Sequence, residues 1–162
     1  MDTYLKKEMG VCAKVHYAFW ENGEWKIVLV RDPRFKRQGL KAFWKPPGGT
    51  LDREKGDTTD RDAASRELTE EAGPIVAPDK LVAVSSEERV SRKTGDPYIE
   101  ALFSHLDLSR PGTLKSWGDE GEEVGVFRRK ELEEMIVWED ILPVNLNSLI
   151  EFLKSLPERP LI

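Results

Sequence analysis

The stretch Arg66-Glu67-Leu68-Thr69-Glu70-Glu71-Ala72-Gly73, whose arginine lies seventeen positions after the second residue of Gly48-Gly49, limits what the rest of the chain can build. Ala64, Leu68 and Ala72 recur at i, i+4 and i+8, an apolar stripe suited to packing on a sheet. At about 100° per residue, Glu70 and Glu71 fall about 60° to one side and about 40° to the other of Glu67, so three carboxylates share a narrow helix face. Like charges one turn apart cost a helix roughly 0.2–0.5 kcal/mol. A hard divalent cation reverses that sign, because its preferred ligands are oxygens. In a chain with 34% charged residues, the plainer alternative is a solvated acidic face. The ends of the helix are marked. Asp57, Thr58, Thr59 and Asp60 offer N-cap oxygens, and Gly73-Pro74 is a stop signal, which predicts a helix from Thr58 to Ala72. Arg66 precedes Glu67 and lies one turn before Glu70, where a guanidinium can restrain a carboxylate by a forked contact.

The pattern Gly-Gly, spacer, Ala-Ala-x-Arg-Glu-Leu-x-Glu-Glu-x-Gly resembles the signature box of the Nudix hydrolases. It covers about a sixth of the chain. The second half, Ala63 to Gly73, matches at each fixed position, whereas the spacer from Gly49 to Arg66 is longer than the family's. The extra length falls at Arg53-Glu54-Lys55 and at the helix start, so the family's middle glutamate falls on Asp57, and Asp52 replaces another frequent glutamate. Pro74 stands where an aliphatic residue is usual. The resemblance implies an α/β (α+β) fold, a Nudix-type α/β/α sandwich with a mixed central sheet. It also implies hydrolysis of nucleoside diphosphates linked to another group.

Length and composition set bounds. A chain of 162 residues is expected to form a single domain, residues 1–162, with a sizeable core. Acids outnumber bases 30 to 25, which argues against a binder of nucleic-acid polymers. Cys12 is the single cysteine, so no internal disulfide forms, and it reads as a small core residue. The N-terminal Met1–Lys7 lacks an apolar leader-like run and no segment approaches membrane-spanning length, so cytoplasm is the default and no membrane partner is expected. Oligomeric state is unreadable, with a homodimer kept open.

In chain order, Val11–Trp20 and Glu24–Val30 alternate in polarity around Glu21-Asn22-Gly23, which predicts a hairpin. Arg31 to Gly39 is a basic loop broken by Pro and Gly. Ala42–Lys45 reads as a short strand. Leu81–Arg92 and Tyr98–Leu108 read as a second hairpin, Ser109–Gly118 as a loop, and Val124–Arg128 as a strand entered from an acidic stretch. Helices are expected at Lys130–Ile136 and Asn147–Leu156.

Cleaving a pyrophosphate link requires water at an atom ringed by anionic oxygens, so charge neutralisation and positioning dominate. By the resemblance, Glu70 and Glu71 are the principal ligands of Mg²⁺ (or Mn²⁺), with the Gly48 carbonyl completing the shell. Glu67 accepts a proton from water or holds a second metal, and Arg66 orients Glu67. A loop acid is also implied: Glu123 first, Glu120 next, with Glu122 open. Arg31 resembles a phosphate-contacting position, and Arg34, Lys36, Arg37 and Lys41 lie near it in sequence. Trp44 is either a pocket wall or a core residue. His16 and His105 have no second ligand at a useful spacing and receive no role. Two other readings differ in class: a catalytically weak nucleotide-binding or regulatory module, and isomerase chemistry on an isoprenoid diphosphate, for which Cys12 is the only thiol.

Overall fold

The computed structural model describes residues 9–34 and 38–161. The N-terminal Met1–Lys7 and the basic-loop candidates Lys36 and Arg37 lie outside the described residues. Strands β1 (Gly10–Glu21) and β2 (Glu24–Arg31) form the predicted hairpin. Its turn is Asn22-Gly23, both at positive φ (54° and 78°). That backbone matches the right-handed twist of the flanking strands.

The remaining strands are β3 (Gly48–Thr50), β4 (Val82–Val90), β5 (Pro97–Asp107) and β6 (Glu123–Arg128). They join one mixed sheet in the order β4-β5-β1-β2-β6, with β3 also on β1. β1 runs parallel to β5 along Gly10–Phe19 and antiparallel to β2 and β3. The short strand expected at Ala42–Lys45 is reduced to isolated bridges, Val30 with Lys45 and Trp44 with Ile141. Pro46 and Pro47 follow at once and bring no N–H with which to extend a ladder.

Helix α1 (Asp60–Ala72) covers one sheet face; α2 (Arg129–Val137) and α3 (Leu146–Ser155) cover the other. The strand period of two sorts the core. Val15, Tyr17 and Phe19 pack with Ala64, Leu68 and Ala72 of α1, whereas Trp25, Ile27 and Leu29 pack with Leu132, Leu149 and Phe152. This is the three-layer α/β/α arrangement with a mixed sheet that the sequence led us to expect.

A buried ionic knot fastens the second layer. Lys14 Nζ donates to Asn145 Oδ1 (2.8 Å) and pairs with Glu100 (3.1 Å), and all three residues are buried. Neighbouring His16 contacts Ser148 Oγ at 2.9 Å and stacks on Phe152. Its burial lowers its pKa to about 4, so it serves there as a neutral ring. The second histidine, His105, pairs with Asp107 at the end of β5.

Candidate active site

The acidic helix is fixed at both ends. Thr59 caps it in a reciprocal box: its hydroxyl accepts from the Asp62 amide (3.1 Å), and the Asp62 carboxylate accepts from the Thr59 amide (3.1 Å). Asp60 and Asp62 in the first turn suit the positive end of the helix dipole. At the other end Gly73 takes φ 104° and its amide closes on Leu68 and Thr69. A Cβ there would run into the Thr113 carbonyl.

The connector after β5 does more than connect. Lys115 N donates to Ala72 O (2.8 Å) and Asp119 N to Glu70 O (3.0 Å). These bonds satisfy carbonyls that the helix end leaves open. They strap the acidic stretch against α1. Gly118 makes the close approach workable, since a Cβ there would lie 2.7 Å from the Glu122 carboxylate and 2.8 Å from the Glu71 carbonyl.

The result is a cavity of about 350 Å³ whose lining includes Gly48, Gly49, Glu67, Glu70, Glu71, Glu120 and Glu122. Asp32, Arg34, Lys45, Lys55 and Asp119 complete it. Glu71 is mostly enclosed and accepts from the Gly48 amide at 3.3 Å. Burial pushes its pKa up to about 7, against the opposing pull of Lys45 and the Gly48 amide. Burial also raises Glu67, with Arg66 pulling the other way. Gly49 leaves room for that carboxyl group, as a Cβ would sit 2.5 Å from its carbon.

Arg66 is the organiser, and its main partner is the spacer aspartate. Asp57, only 3% exposed, accepts from Nε and Nη2 at 2.7–3.1 Å. The other arm, Nη1, reaches Glu67 (3.1 Å) and Glu70 (2.9 Å). Burial alone would raise Asp57, but the Arg66 fork and the Asp52 amide leave its pKa lowered. The lengthened spacer folds as a 3₁₀ turn, Arg53–Lys55, capped by Asp52, and Asp57 accepts from the Asp52 amide at 2.9 Å.

Other expected residues lie elsewhere. Glu123 pairs with Arg31 at 2.6 Å, and the Arg31 guanidinium lies 4.4 Å from the Trp44 ring centroid. Trp44 in turn meets Phe127 edge-on within the core layer of α2 and α3. Val124 and Val126 pack toward α1, so strand alternation turns Glu123 to the opposite face. The structure therefore brings Glu120 and Glu122 to the cavity, and not Glu123, Arg31 or Trp44. Glu122 is 7% exposed and accepts from the Glu120 amide at 3.0 Å. Arg34 lines the cavity with its guanidinium forked onto Asp32. Lys41 points to the Trp138 and Glu139 carbonyls. Lys45 and Lys55, which line the cavity, were not singled out from sequence; Asp57 was placed at the family's middle glutamate, but its clamp on Arg66 was not read.

The sequence signature of the NUDIX domain matches residues 14–144. This chain belongs to the NUDIX domain family. As a Nudix protein it falls among the pyrophosphohydrolases of nucleoside diphosphate derivatives. No curated protein sequence matches it. Solved Nudix structures share its fold. The NUDIX domain of Shewanella oneidensis NrtR, complexed with ADP ribose, aligns over 96% of this chain and 92% of its own at 15% identity and TM-score 0.65. A Caenorhabditis elegans Ap4A hydrolase aligns over 90% and 98% at 20% identity and TM-score 0.60. A MutT/nudix family protein from Enterococcus faecalis aligns over 75% of this chain at 18% identity and TM-score 0.59, and this Nudix chain spans 44% of that one.

The donor set fits a divalent ion. Carboxylates outnumber the lysines and arginine in the lining, and they are hard oxygen donors of the kind Mg²⁺ and Mn²⁺ take. Burial opposes the charge of Glu67 and Glu71, so added positive charge would favour both. Among the described residues no three carboxylates already converge as a ligand set; Arg66 holds Glu67 and Glu70, and Glu71 turns to Gly48.

Proposed function

We propose that this Nudix protein is a hydrolase, dependent on Mg²⁺ or Mn²⁺, of a phosphate-anhydride bond in a nucleoside di- or triphosphate derivative. The observation that carries the reading is the gathering of Glu67, Glu70, Glu71, Glu120 and Glu122 around one cavity beside Gly48-Gly49. Glu70 and Glu71 are the principal ligands, joined by the Gly48 carbonyl, with Glu122 as the loop acid and Glu120 beside it. The metal, when bound, neutralises phosphate charge and eases ionisation of water.

The chain's own residues do the rest. Glu67 accepts the proton of the attacking water, and its raised pKa brings it closer to the working range of a general base. Arg66 fixes the Glu67 carboxylate while Asp57 fixes Arg66. Lys45, Lys55 and Arg34 supply positive charge at the cavity wall for the phosphate chain. No helix among the described residues is long and apolar enough to cross a membrane, and we place the enzyme in the cytoplasm as one domain. A homodimer would use edge strand β4, where Val82, Val84 and Val90 are exposed.

The bound ADP ribose of the NrtR domain and the name of the Ap4A hydrolase choose the test. Purified protein with Mg²⁺ is assayed against nucleoside triphosphates, dinucleoside polyphosphates and nucleoside diphosphate sugars, with product identification. Turnover of at least one class, lost in E67Q, is the expected result. Folded protein that binds nucleotides tightly but forms no product on any of them would favour a binding module.

A further inference from the structure

A second, larger groove of about 1290 Å³ lies next to the acidic cavity. Its volume exceeds the range usual for small-molecule pockets. The turn of the β4–β5 hairpin forms one side, with Arg92 and Lys93; Cys12, Thr50, Tyr98 and Leu142 line the remainder. Two features join the spaces. Lys45 lines both. β3 separates them, contributing Gly48 and Gly49 to the cavity and Thr50 to the groove. The charge of Lys45 acts in each direction, opposing the effect of burial on Glu71 and on Cys12.

The two ends differ in sign. The cavity sets seven carboxylates against Arg34, Lys45 and Lys55. The groove carries Lys45, Arg89, Arg92 and Lys93 against Glu88 and Asp96. Arg89 is engaged already, with Glu87 at 2.9 Å and buried Glu100 at 3.5 Å. Arg92 and Lys93 are exposed, and among the described residues neither is drawn into an ion pair. A neutral sugar or base gives these two cations nothing to neutralise.

We propose that the groove receives the half of the substrate distal to the metal, and that Arg92 and Lys93 select a distal half bearing a second phosphate of its own, off the anhydride chain. This rests on the hydrolase reading of the cavity and narrows the substrate to anhydrides of a phosphorylated nucleoside. Lys45 spans the junction and meets the chain between the two halves.

The test is direct binding in chelator, which does not depend on turnover. Nucleoside 3′,5′- and 2′,5′-bisphosphates of the four common bases are compared with their 5′-monophosphates by titration calorimetry. These ligands contain no anhydride, so a protein that fails the hydrolysis assays still reports here. For at least one base the bisphosphate is expected to bind about tenfold tighter, the worth of one charge-assisted contact. The double substitution R92A/K93A, in an exposed turn that the core does not need, is expected to erase that advantage. Equal affinity of mono- and bisphosphates across the panel overturns the proposal. So does an advantage that survives R92A/K93A.

Discussion

At Glu71, burial and the neighbouring carboxylates oppose the charged form, and only the Gly48 amide and Lys45 favour it. In metal-free protein the carboxyl holds its proton up to about pH 7, from an ordinary value of 4.5. The native state then binds more protons than the unfolded one across that window, so this residue's contribution is full below 4.5 and is lost as pH rises through 7. E71Q removes the dependence. In chelator, wild type and E71Q are expected to differ little at pH 4.5, and E71Q to melt progressively higher up to pH 8. Each kcal/mol is worth about 2–4 °C for a chain of this size. The Asp57 clamp acts in the opposite sense but is common to both proteins and cancels. A melting difference that stays constant with pH would remove Glu71 as its source.

At the scale of elements, the strap from 113 to 119 decides which acids reach the cavity. It is held by backbone bonds to the end of α1, and Gly118 sits at its closest approach. We expect Gly118→Ala to weaken Mn²⁺ binding about tenfold, roughly 1.4 kcal/mol, because it drives Glu122 away from Glu71. E122Q should do the same, whereas E123Q should keep its affinity and lose about 1 kcal/mol of stability with the Arg31 pair, whose side chains are 23% and 26% exposed. Mn²⁺ titration followed by paramagnetic resonance reads all three; E123Q behaving like E122Q would return Glu123 to the site.

The same elements show what could be read in the chain and what could not. Helix α1 was legible because periodicity, Thr59 and Gly73 agree, and the hairpin because Asn22-Gly23 admits few other turns. The choice between Glu122 and Glu123 was not legible, since it turns on where β6 begins: one residue of register moves a side chain to the other face. The contacts of Arg66 with Glu67 and Glu70 were expected, but its main partner was hidden for a related reason. Asp57 reaches it only because the spacer folds into a 3₁₀ turn that no local pattern announces.

For the molecule as a whole, two core layers share one sheet, and the acidic cavity is assembled from α1, β3 and the strap. Ligand that binds only this assembled state stabilises it by mass action. Mg²⁺ at a hundred times its dissociation constant should add about 2.7 kcal/mol, seen as a rise in melting temperature that chelator reverses. Absence of any rise at saturating Mg²⁺ and Mn²⁺ would leave the carboxylates without a cation.

The parallel pairing of β1 with β5 has an outcome in time. Its partners, Gly10 with Tyr98 through Phe19 with Asp107, lie about ninety positions apart, and contacts that distant form slowly. During synthesis Tyr98 to Asp107 must leave the ribosome before β1 finds this neighbour, and Glu122 emerges later still. A nascent chain that stops short of Glu122 therefore lacks part of the acidic cavity's lining.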